Sequence, residues 1–273
     1  MIIDFHTHVF PDKIAKRTID LLSEKGSMTP YSDGTVDGLI AEMEKAGVDV
    51  SVTLPVMTSP TQFDSVNRFA LEVNKTYAKG PERLISFAGI HPSCEEIDKK
   101  MAFIKENGFL GVKIHPDYQG TFIEDDGYVK ILEEAKKNDL IVVSHAGVDC
   151  GFPDQPVRCT PDRALKLIRK VPYSSLVLAH YGGIEMFDQV YDTLCGEDVY
   201  FDTSYILRFI SKETFLKILE KHGEDRILFA SDSPWSDAGA DKNILRSFSL
   251  NKTTEEKIFW KNAEALLGIK VNI

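Results

Sequence analysis

Two histidines, His6 and His8, stand one residue apart at the end of an apolar run, in the sequence IIDFHTH. Side chains at positions i and i+2 of a β-strand point to the same side. If residues 2–8 form a strand, both imidazoles face the same way and their nitrogens can bind one metal ion. A single histidine on an apolar face is more often a hydrogen-bonded core residue, so this prediction depends on which other residues meet the pair.

Other polar residues close apolar runs in the same manner. They are His91, His115, His145, His180 and Asp232. Six of the seven histidines therefore end such runs, and His222, in the sequence EKHGED, lies in a helical pattern instead. Because a chance distribution would put many histidines on helices, the bias predicts a metal site where the strands end.

The apolar runs themselves are short, β-branched and nearly continuous in hydrophobicity, which is typical of strands covered on both faces. They occupy residues 2–8, 48–56, 84–90, 109–115, 140–146, 175–181, 199–204 and 226–232. Helical patterns alternate with them, including residues 37–47, 125–138, 160–172 and a terminal helix near 253–268.

This alternation of strands and helices predicts an α/β fold with a parallel sheet, and eight strands predict a closed (β/α)8 TIM barrel. The alternative, an open doubly wound sheet, lacks a GxGxxG turn after its first strand. In a barrel, residues that end the strands meet at the face where active sites lie. The histidines and Asp232 are therefore expected to come together there.

The composition restricts the partners and the compartment. The 273 residues, predicted to form a single domain over 1–273, carry 32 Lys+Arg against 42 Asp+Glu, a formal net charge of −10, without a basic cluster. Nucleic acid and anionic membranes are not expected partners, whereas a small-molecule substrate is, and a homo-oligomer remains open. No apolar run reaches the length of a membrane span and no signal peptide is recognised, so a cytoplasmic protein is predicted.

The four cysteines form no CxxC pair and are interpreted as reduced thiols. They are Cys94, Cys150, Cys159 and Cys195, of which Cys150 and Cys159 are close enough in sequence to be bridged.

Five segments in this order carry a family resemblance: DFHTH, GVKIHP, VVSHAG, LAHYGG and FASDSPW. Together they resemble the amidohydrolase superfamily of metal-dependent TIM-barrel hydrolases, over essentially the whole chain. The HYGG and SDSPW sequences are similar to the branch that contains aminocarboxymuconate semialdehyde decarboxylase. One such motif alone would be weak support, whereas the ordered set is specific.

The resemblance implies that His6, His8, His145 and Asp232 bind a divalent metal. Zinc is the simplest ion for this ligand set, while Mn²⁺, Fe²⁺ and Co²⁺ also fit. Such an ion lowers the pKa of a bound water towards neutrality. Asp232 would then hold the water and accept its proton, and His180 would act as a second acid or base.

Lys113, on the fourth predicted strand, leaves the number of metal ions open. In the dihydroorotase-like branch a similarly placed lysine is carboxylated and bridges two metals, and Lys113 and His180 would then join a second ion. In the decarboxylase-like branch one metal suffices, and Lys113 and His115 would contact a substrate carboxylate. One ion is favoured, and an ion pair between Lys113 and Asp202 is a third interpretation.

The predicted function is metal-dependent hydrolysis of a small, carboxylate-bearing metabolite through an activated water. The alternative is a nonoxidative decarboxylase (carboxy-lyase) or a hydratase with the same metal site. A metal-dependent deoxyribonuclease is disfavoured by Lys113, where that branch carries a glutamate, and a non-catalytic barrel by the complete set of ligands. Arg158, Arg208 and Arg246 fall in loops of the active face, but their types alone do not identify a substrate contact.

Overall fold

The computed structural model describes residues 1–78 and 83–271. Its strands all pair in parallel and coincide with the eight predicted apolar runs. They are β1 (Ile3–Thr7), β2 (Val50–Thr53), β3 (Arg83–Ser86), β4 (Ala88–Gly89), β5 (Gly111–Ile114), β6 (Ile141–Ser144), β7 (Leu176–Leu178), β8 (Tyr200–Asp202) and β9 (Ile227–Leu228).

The strands close into a barrel. The order is β1-β2-β3 and then β4 to β9 in sequence, and Phe87 joins β3 to β4 because its N–H donates to Thr53 O at 2.9 Å. At the opposite edge, Phe5 N–H donates to Phe229 O at 2.9 Å and Asp232 N–H donates to His6 O at 2.8 Å. The first strand therefore pairs with the last, and the predicted (β/α)8 barrel is confirmed.

Helices follow the strands along the chain. Those of the described residues are Asp12–Gly26, Val36–Ala46, Phe63–Tyr77, Ile97–Glu106, Pro116–Gln119, Asp126–Asn138, Pro161–Lys170, Phe187–Thr193, Lys212–His222, Ala238–Ser247, Lys252–Glu256 and Asn262–Leu267. The predicted terminal helix is interrupted by a π-helical turn over Lys257–Lys261. None of the helices in the described ranges has the length and apolarity needed to cross a membrane.

Local capping explains where these helices begin and end. Thr160 accepts a hydrogen bond from Arg163 N–H and Pro161 takes the first helical position, as the sequence predicted. Gly47 ends the helix Val36–Ala46 with φ +68, a conformation that costs glycine little.

The core has two layers. An inner cluster joins apolar residues from strands all around the sheet, including Ile3, Val52, Phe87, Val143 and Leu228, which can meet only inside the barrel. Ala263 and Leu267 of the last helix belong to it, so this helix closes one end of the barrel. The larger outer cluster packs between strands and helices.

Strand β1 has a bulge that affects the site. Its pairing with β2 passes from Asp4 opposite Ser51 to Thr7 opposite Thr53, so one extra residue is inserted. Phe5 therefore packs in the inner cluster, and the next residue, His6, also turns inward.

Candidate metal centre

Three predicted ligands lie together where the first and last strands meet. His6 Nε2 and His8 Nε2 are 3.2 Å apart, and Asp232 Oδ1 lies 3.1 Å from His8 Nε2 and 3.4 Å from His6 Nε2. Ligand atoms about 2 Å from a tetrahedral zinc ion are about 3.3 Å from one another. The separations therefore match those of three ligands around one ion.

Each histidine of this group is hydrogen-bonded through Nδ1 to an acceptor outside the group, which places a proton on that nitrogen. His6 Nδ1–H donates to Asp202 Oδ2 at 3.0 Å, and His8 Nδ1–H donates to Leu54 O at 2.8 Å. The Nε2 atoms of both rings consequently point at each other and at a carboxylate, and Nε2 is the atom that bears the lone pair in this neutral tautomer. Outer carboxylates and carbonyls orient metal-binding histidines in this way.

The pKa shifts of His6 and of the neighbouring carboxylates favour the protonation states that metal ligands need. Burial, and then the charge of Lys113, lower the pKa of His6 to about 3, so the ring is neutral at pH 7. Burial alone would raise the pKa of Asp202, but His6 and Ser204 hold it well below its ordinary value. Burial raises the pKa of Asp232, but the neighbouring His6 and His8 outweigh it and hold this pKa below its ordinary value.

The backbone and the exposure of the group also suit a reactive site. Asp232 has φ +71 and His180 has φ +57, conformations that non-glycine residues adopt mainly where the surrounding structure imposes them. The His6 side chain is 1% exposed, whereas those of His8 and Asp232 are 13% and 12% exposed. The group is therefore reached from the side of His8 and Asp232.

Lys113 lies beside this group and is 1% exposed. Its Nζ is 3.0 Å from His6 Nε2, and among the described residues it forms no ion pair with Asp202, whose carboxylate is bonded to His6 instead. Burial lowers the pKa of Lys113 to about 8, although Asp202 and Asp232 oppose the shift. The buried ammonium therefore stands at the edge of the candidate metal site.

His180 borders the group from β7. Its Nδ1–H donates to Ser204 O at 3.0 Å, which leaves Nε2 as the acceptor that faces the site. Its ring centroid is 5.4 Å from that of His6. The structure thus places His180 beside the group, and its role as an acid or base stays a prediction.

His145, the fourth predicted ligand, does not belong to the group of three. Its Nδ1 lies 2.9 Å from His180 Nε2, and its ring stacks on that of His115 with centroids 4.2 Å apart and planes 9° from parallel. The assignment of His145 as a ligand stays a prediction.

Asp149 was not identified from the sequence, and it joins His115 and His145 in a second group with ligand atoms within 4.8 Å of one another. His115 Nε2 lies 3.4 Å from Asp149 Oδ2. Imidazole lone pairs lie in the ring planes, so two parallel stacked rings cannot both point at one ion. This second group is therefore a pair of histidines with carboxylate neighbours rather than a chelate. In the sequence, Asp149 is marked only by its position four residues after His145, a histidine that ends a strand.

The remaining histidines are structural. Burial lowers the pKa of His91, whose Nδ1 accepts a hydrogen bond from Ser93 N–H in the turn after β4. His222 ends a helix, and its ring stacks on Phe201 at 3.9 Å.

Three arginines were expected in loops of the active face, but Arg246 lies in the helix Ala238–Ser247. Arg208 lies over the rings of Tyr31 and Tyr205, Arg158 lies 3.5 Å from Asp117, and Arg246 pairs with Glu255 on the outer helices. All four cysteines are free, so the interpretation as thiols is confirmed and Cys150 and Cys159 are not bridged.

A parallel barrel with histidines and a carboxylate at the ends of its strands defines the class of barrel enzymes that work with a divalent metal. The amidohydrolase family matches residues 3–269, and the chain belongs to this family. A search of curated proteins finds no match.

Solved structures with the same fold include several decarboxylases. One is 2,6-dihydroxybenzoate decarboxylase in complex with 2,6-dihydroxybenzoate (TM-score 0.71, 16% identity, 98% of each chain covered). Another is 5-carboxyvanillate decarboxylase from Sphingomonas paucimobilis (TM-score 0.69, 15% identity, 98% and 99% covered). A dihydroxybenzoic acid decarboxylase from Polaromonas holds manganese and the inhibitor 2-nitroresorcinol (TM-score 0.70, 17% identity, 98% and 96% covered). At these identities the similarity establishes the fold.

Proposed function

We propose that this protein is a metal-dependent decarboxylase that removes carbon dioxide from a small carboxylic acid. The observation that carries the proposal is the convergence of His6 Nε2, His8 Nε2 and Asp232 Oδ1, which lie 3.1 to 3.4 Å from one another. Two imidazole nitrogens and one carboxylate oxygen at these separations are a ligand set for one divalent cation.

The ligand set of this site would be His6, His8 and Asp232, with His145 as the predicted fourth ligand. Nitrogen and carboxylate donors suit zinc, and they also suit manganese, the ion that the Polaromonas decarboxylase holds. A divalent ion bound there would act as a Lewis acid that stabilises negative charge developing on a substrate oxygen.

Decarboxylation breaks the bond to the carboxyl carbon, leaves the electron pair on the remaining carbon and requires one proton to replace carbon dioxide. His180 can hold that proton at Nε2, because Ser204 O fixes the other ring nitrogen. Lys113 can pair with the substrate carboxylate, since its buried ammonium has no carboxylate bonded to it among the described residues. Asp232 would remain ionised as a ligand.

Support for decarboxylation over the hydrolysis expected from sequence comes from the neighbouring folds, several of which are decarboxylases of aromatic acids. Small aromatic acids are accordingly the first substrates to test. Hydrolysis is the second candidate, because the family of this chain is named for it and the same site could activate water.

The test is a product assay with the zinc-loaded and manganese-loaded protein. The substrates are hydroxybenzoic acids labelled with ¹³C at the carboxyl carbon, together with amides and esters of the same acids. We expect labelled carbon dioxide from the free acids, and no product from a His8→Ala variant given the same metal. Cleavage of amides or esters with the carboxyl carbon retained would show a hydrolase instead.

A further inference from the structure

His145 differs from the other histidines of the site in the nitrogen that faces the centre. His6, His8 and His180 each donate Nδ1–H outward, to Asp202, to Leu54 O and to Ser204 O. Their Nε2 atoms consequently face inward as acceptors. In His145, it is Nδ1 that points to the centre, where it lies 2.9 Å from His180 Nε2.

Nδ1 of His145 and Nε2 of His180 thus converge at the centre, as Nε2 of His6 and Nε2 of His8 do at 3.2 Å.

The other nitrogen of His145 faces a carboxylate. His145 Nε2 lies 3.9 Å from Asp117 Oδ2, which is about 1 Å too long for a hydrogen bond. Both atoms are buried, and neither has a hydrogen-bond partner among the described residues. His145 and Asp117 are only 6% and 4% exposed. Two unsatisfied polar atoms that face each other in the interior are costly, and one proton between them would satisfy both.

Asp117 is anchored so that one oxygen stays available. It lies in the short helix Pro116–Gln119, directly after β5. Its Oδ1 accepts Arg158 N–H at 3.2 Å and lies 3.5 Å from Arg158 Nη1, while Oδ2 remains towards His145. The guanidinium also offsets the charge of the buried carboxylate.

We propose that Asp117 is the positioning residue for His145. Asp117 Oδ2 accepts the proton at His145 Nε2, which keeps the Nδ1 lone pair directed at the centre and available to an ion. His145 thus joins the metal through Nδ1, whereas His6 and His8 join through Nε2. This inference rests on the metal centre under Proposed function and adds to it the outer partner of the fourth ligand.

The chain offers a matched control. His115 stacks on His145 and has its own aspartate, Asp149, 3.4 Å from its Nε2. Both aspartates are neighbours of a strand-ending histidine, with side chains 3% exposed in Asp117 and 10% exposed in Asp149, but only Asp117 faces Nε2 of the predicted ligand. Asp149→Ala therefore removes a nearby carboxylate while keeping the carboxylate that faces His145 Nε2.

The experiment measures zinc affinity by competition with a chromophoric chelator. Asp117→Ala should weaken zinc binding 10- to 100-fold, the usual range for loss of an outer partner. Asp117→Asn, whose amide oxygen can still accept the proton, should lose clearly less, and Asp149→Ala should change affinity by less than about twofold. Equal affinities of Asp117→Ala and the wild type would overturn the proposal. Equal losses in Asp117→Ala and Asp149→Ala would overturn it as well.

A second measurement does not depend on how well the variants fold. In wild-type protein labelled with ¹⁵N-histidine and loaded with ¹¹³Cd, the metal should couple to one Nδ1 and to Nε2 of the other histidines. Coupling to Nε2 atoms only would contradict the proposal. A different result would show that the proposed metal centre is wrong. In that case the wild type would bind no zinc tightly, or His8→Ala would bind zinc as tightly as the wild type.

Discussion

Asp202 connects the two halves of the candidate centre at the level of single residues. One carboxylate oxygen accepts His6 Nδ1–H, and the other accepts the backbone N–H groups of His180 and Ser204. One buried carboxylate thus fixes the tautomer of a ligand and places the acid or base residue. This arrangement also explains why Lys113 is not paired with Asp202.

The first prediction concerns Lys113 and the number of metal ions. Because its Nζ lies against His6 as an ammonium rather than between two ligand groups, Lys113→Ala should keep its metal content while KM for an anionic substrate rises. Elemental analysis of the purified variant and steady-state kinetics give both quantities. A fall in metal content, with density for a carbamate on Lys113 in the wild type, would support the two-metal alternative.

The second prediction concerns His180. Since its Nε2 faces the site while Nδ1 is held by Ser204, His180→Ala should retain the metal and lose turnover by about a hundredfold or more. Metal content and kcat measured on the same preparation separate the two effects. Retained activity would remove His180 from the mechanism, and loss of half of a two-ion content would make it a ligand.

The residue types at the site were predictable from sequence, but their partners were not. His6, His8 and Asp232 end apolar runs, and strand ends meet at one face of a barrel. The outer acceptors Leu54 and Asp202 come from the ends of other strands, 46 and 196 residues from the rings they hold. No local sequence pattern predicts such long-range contacts. The nitrogen that His145 turns to the centre is likewise decided by neighbours in space.

Among the secondary-structure elements, the helix Lys212–His222 shows a titratable group used for packing. Its last residue, His222, stacks on Phe201 of β8, donates Nε2–H to Val199 O and accepts Gly196 N–H at Nδ1. Burial lowers the pKa of His222 to about 4. The neutral ring therefore fastens the end of this helix to the barrel.

The third prediction follows from that pKa. Unfolded histidine titrates near 6.5, so the unfolded chain binds more protons between pH 6.5 and 4 and stability falls as the pH falls through this window. His222 should contribute about 1–2 kcal/mol to the loss of unfolding free energy between pH 7 and pH 5. His222→Gln should be less stable than the wild type at pH 7, and the gap should narrow by that amount at pH 5. Urea unfolding at the two pH values measures it, and a constant gap would contradict the assignment.

Element boundaries followed the sequence where capping chemistry is local. Thr160, Pro161 and Gly47 mark helix ends through contacts within a few residues, and these ends were predictable. The division of the third strand at Phe87, the bulge in β1 and the π-helical turn near the C-terminus depend on packing across the barrel. Periodicity within one segment carries no signal for them.

At the scale of the whole molecule, the candidate centre lies at the closure of the barrel. His6 lies in β1, His8 follows it, Asp232 follows β9, and backbone hydrogen bonds join these two segments. A metal ion held by all three side chains would therefore link the first strand to the last. Binding at such a place stabilises the closed barrel as well as serving chemistry.

The fourth prediction is that metal removal lowers thermal stability. With free metal at a hundred times Kd, binding adds about 2.7 kcal/mol to the unfolding free energy. For a domain of this size that corresponds to a rise in Tm of about 5–10 °C. Thermal unfolding with and without a chelator measures the difference. The His6→Ala, His8→Ala double variant should show no difference, and a response equal to that of the wild type would place the ion elsewhere.

The most direct test of the account is the anomalous diffraction signal of crystals grown with zinc or manganese. We predict one strong peak within bonding distance of His6 Nε2, His8 Nε2 and Asp232 Oδ1, which lie 3.1 to 3.4 Å from one another. A peak between His115 and Asp149 with none at the three predicted ligands would contradict it. So would crystals of protein with measured metal content and no peak at this end of the barrel.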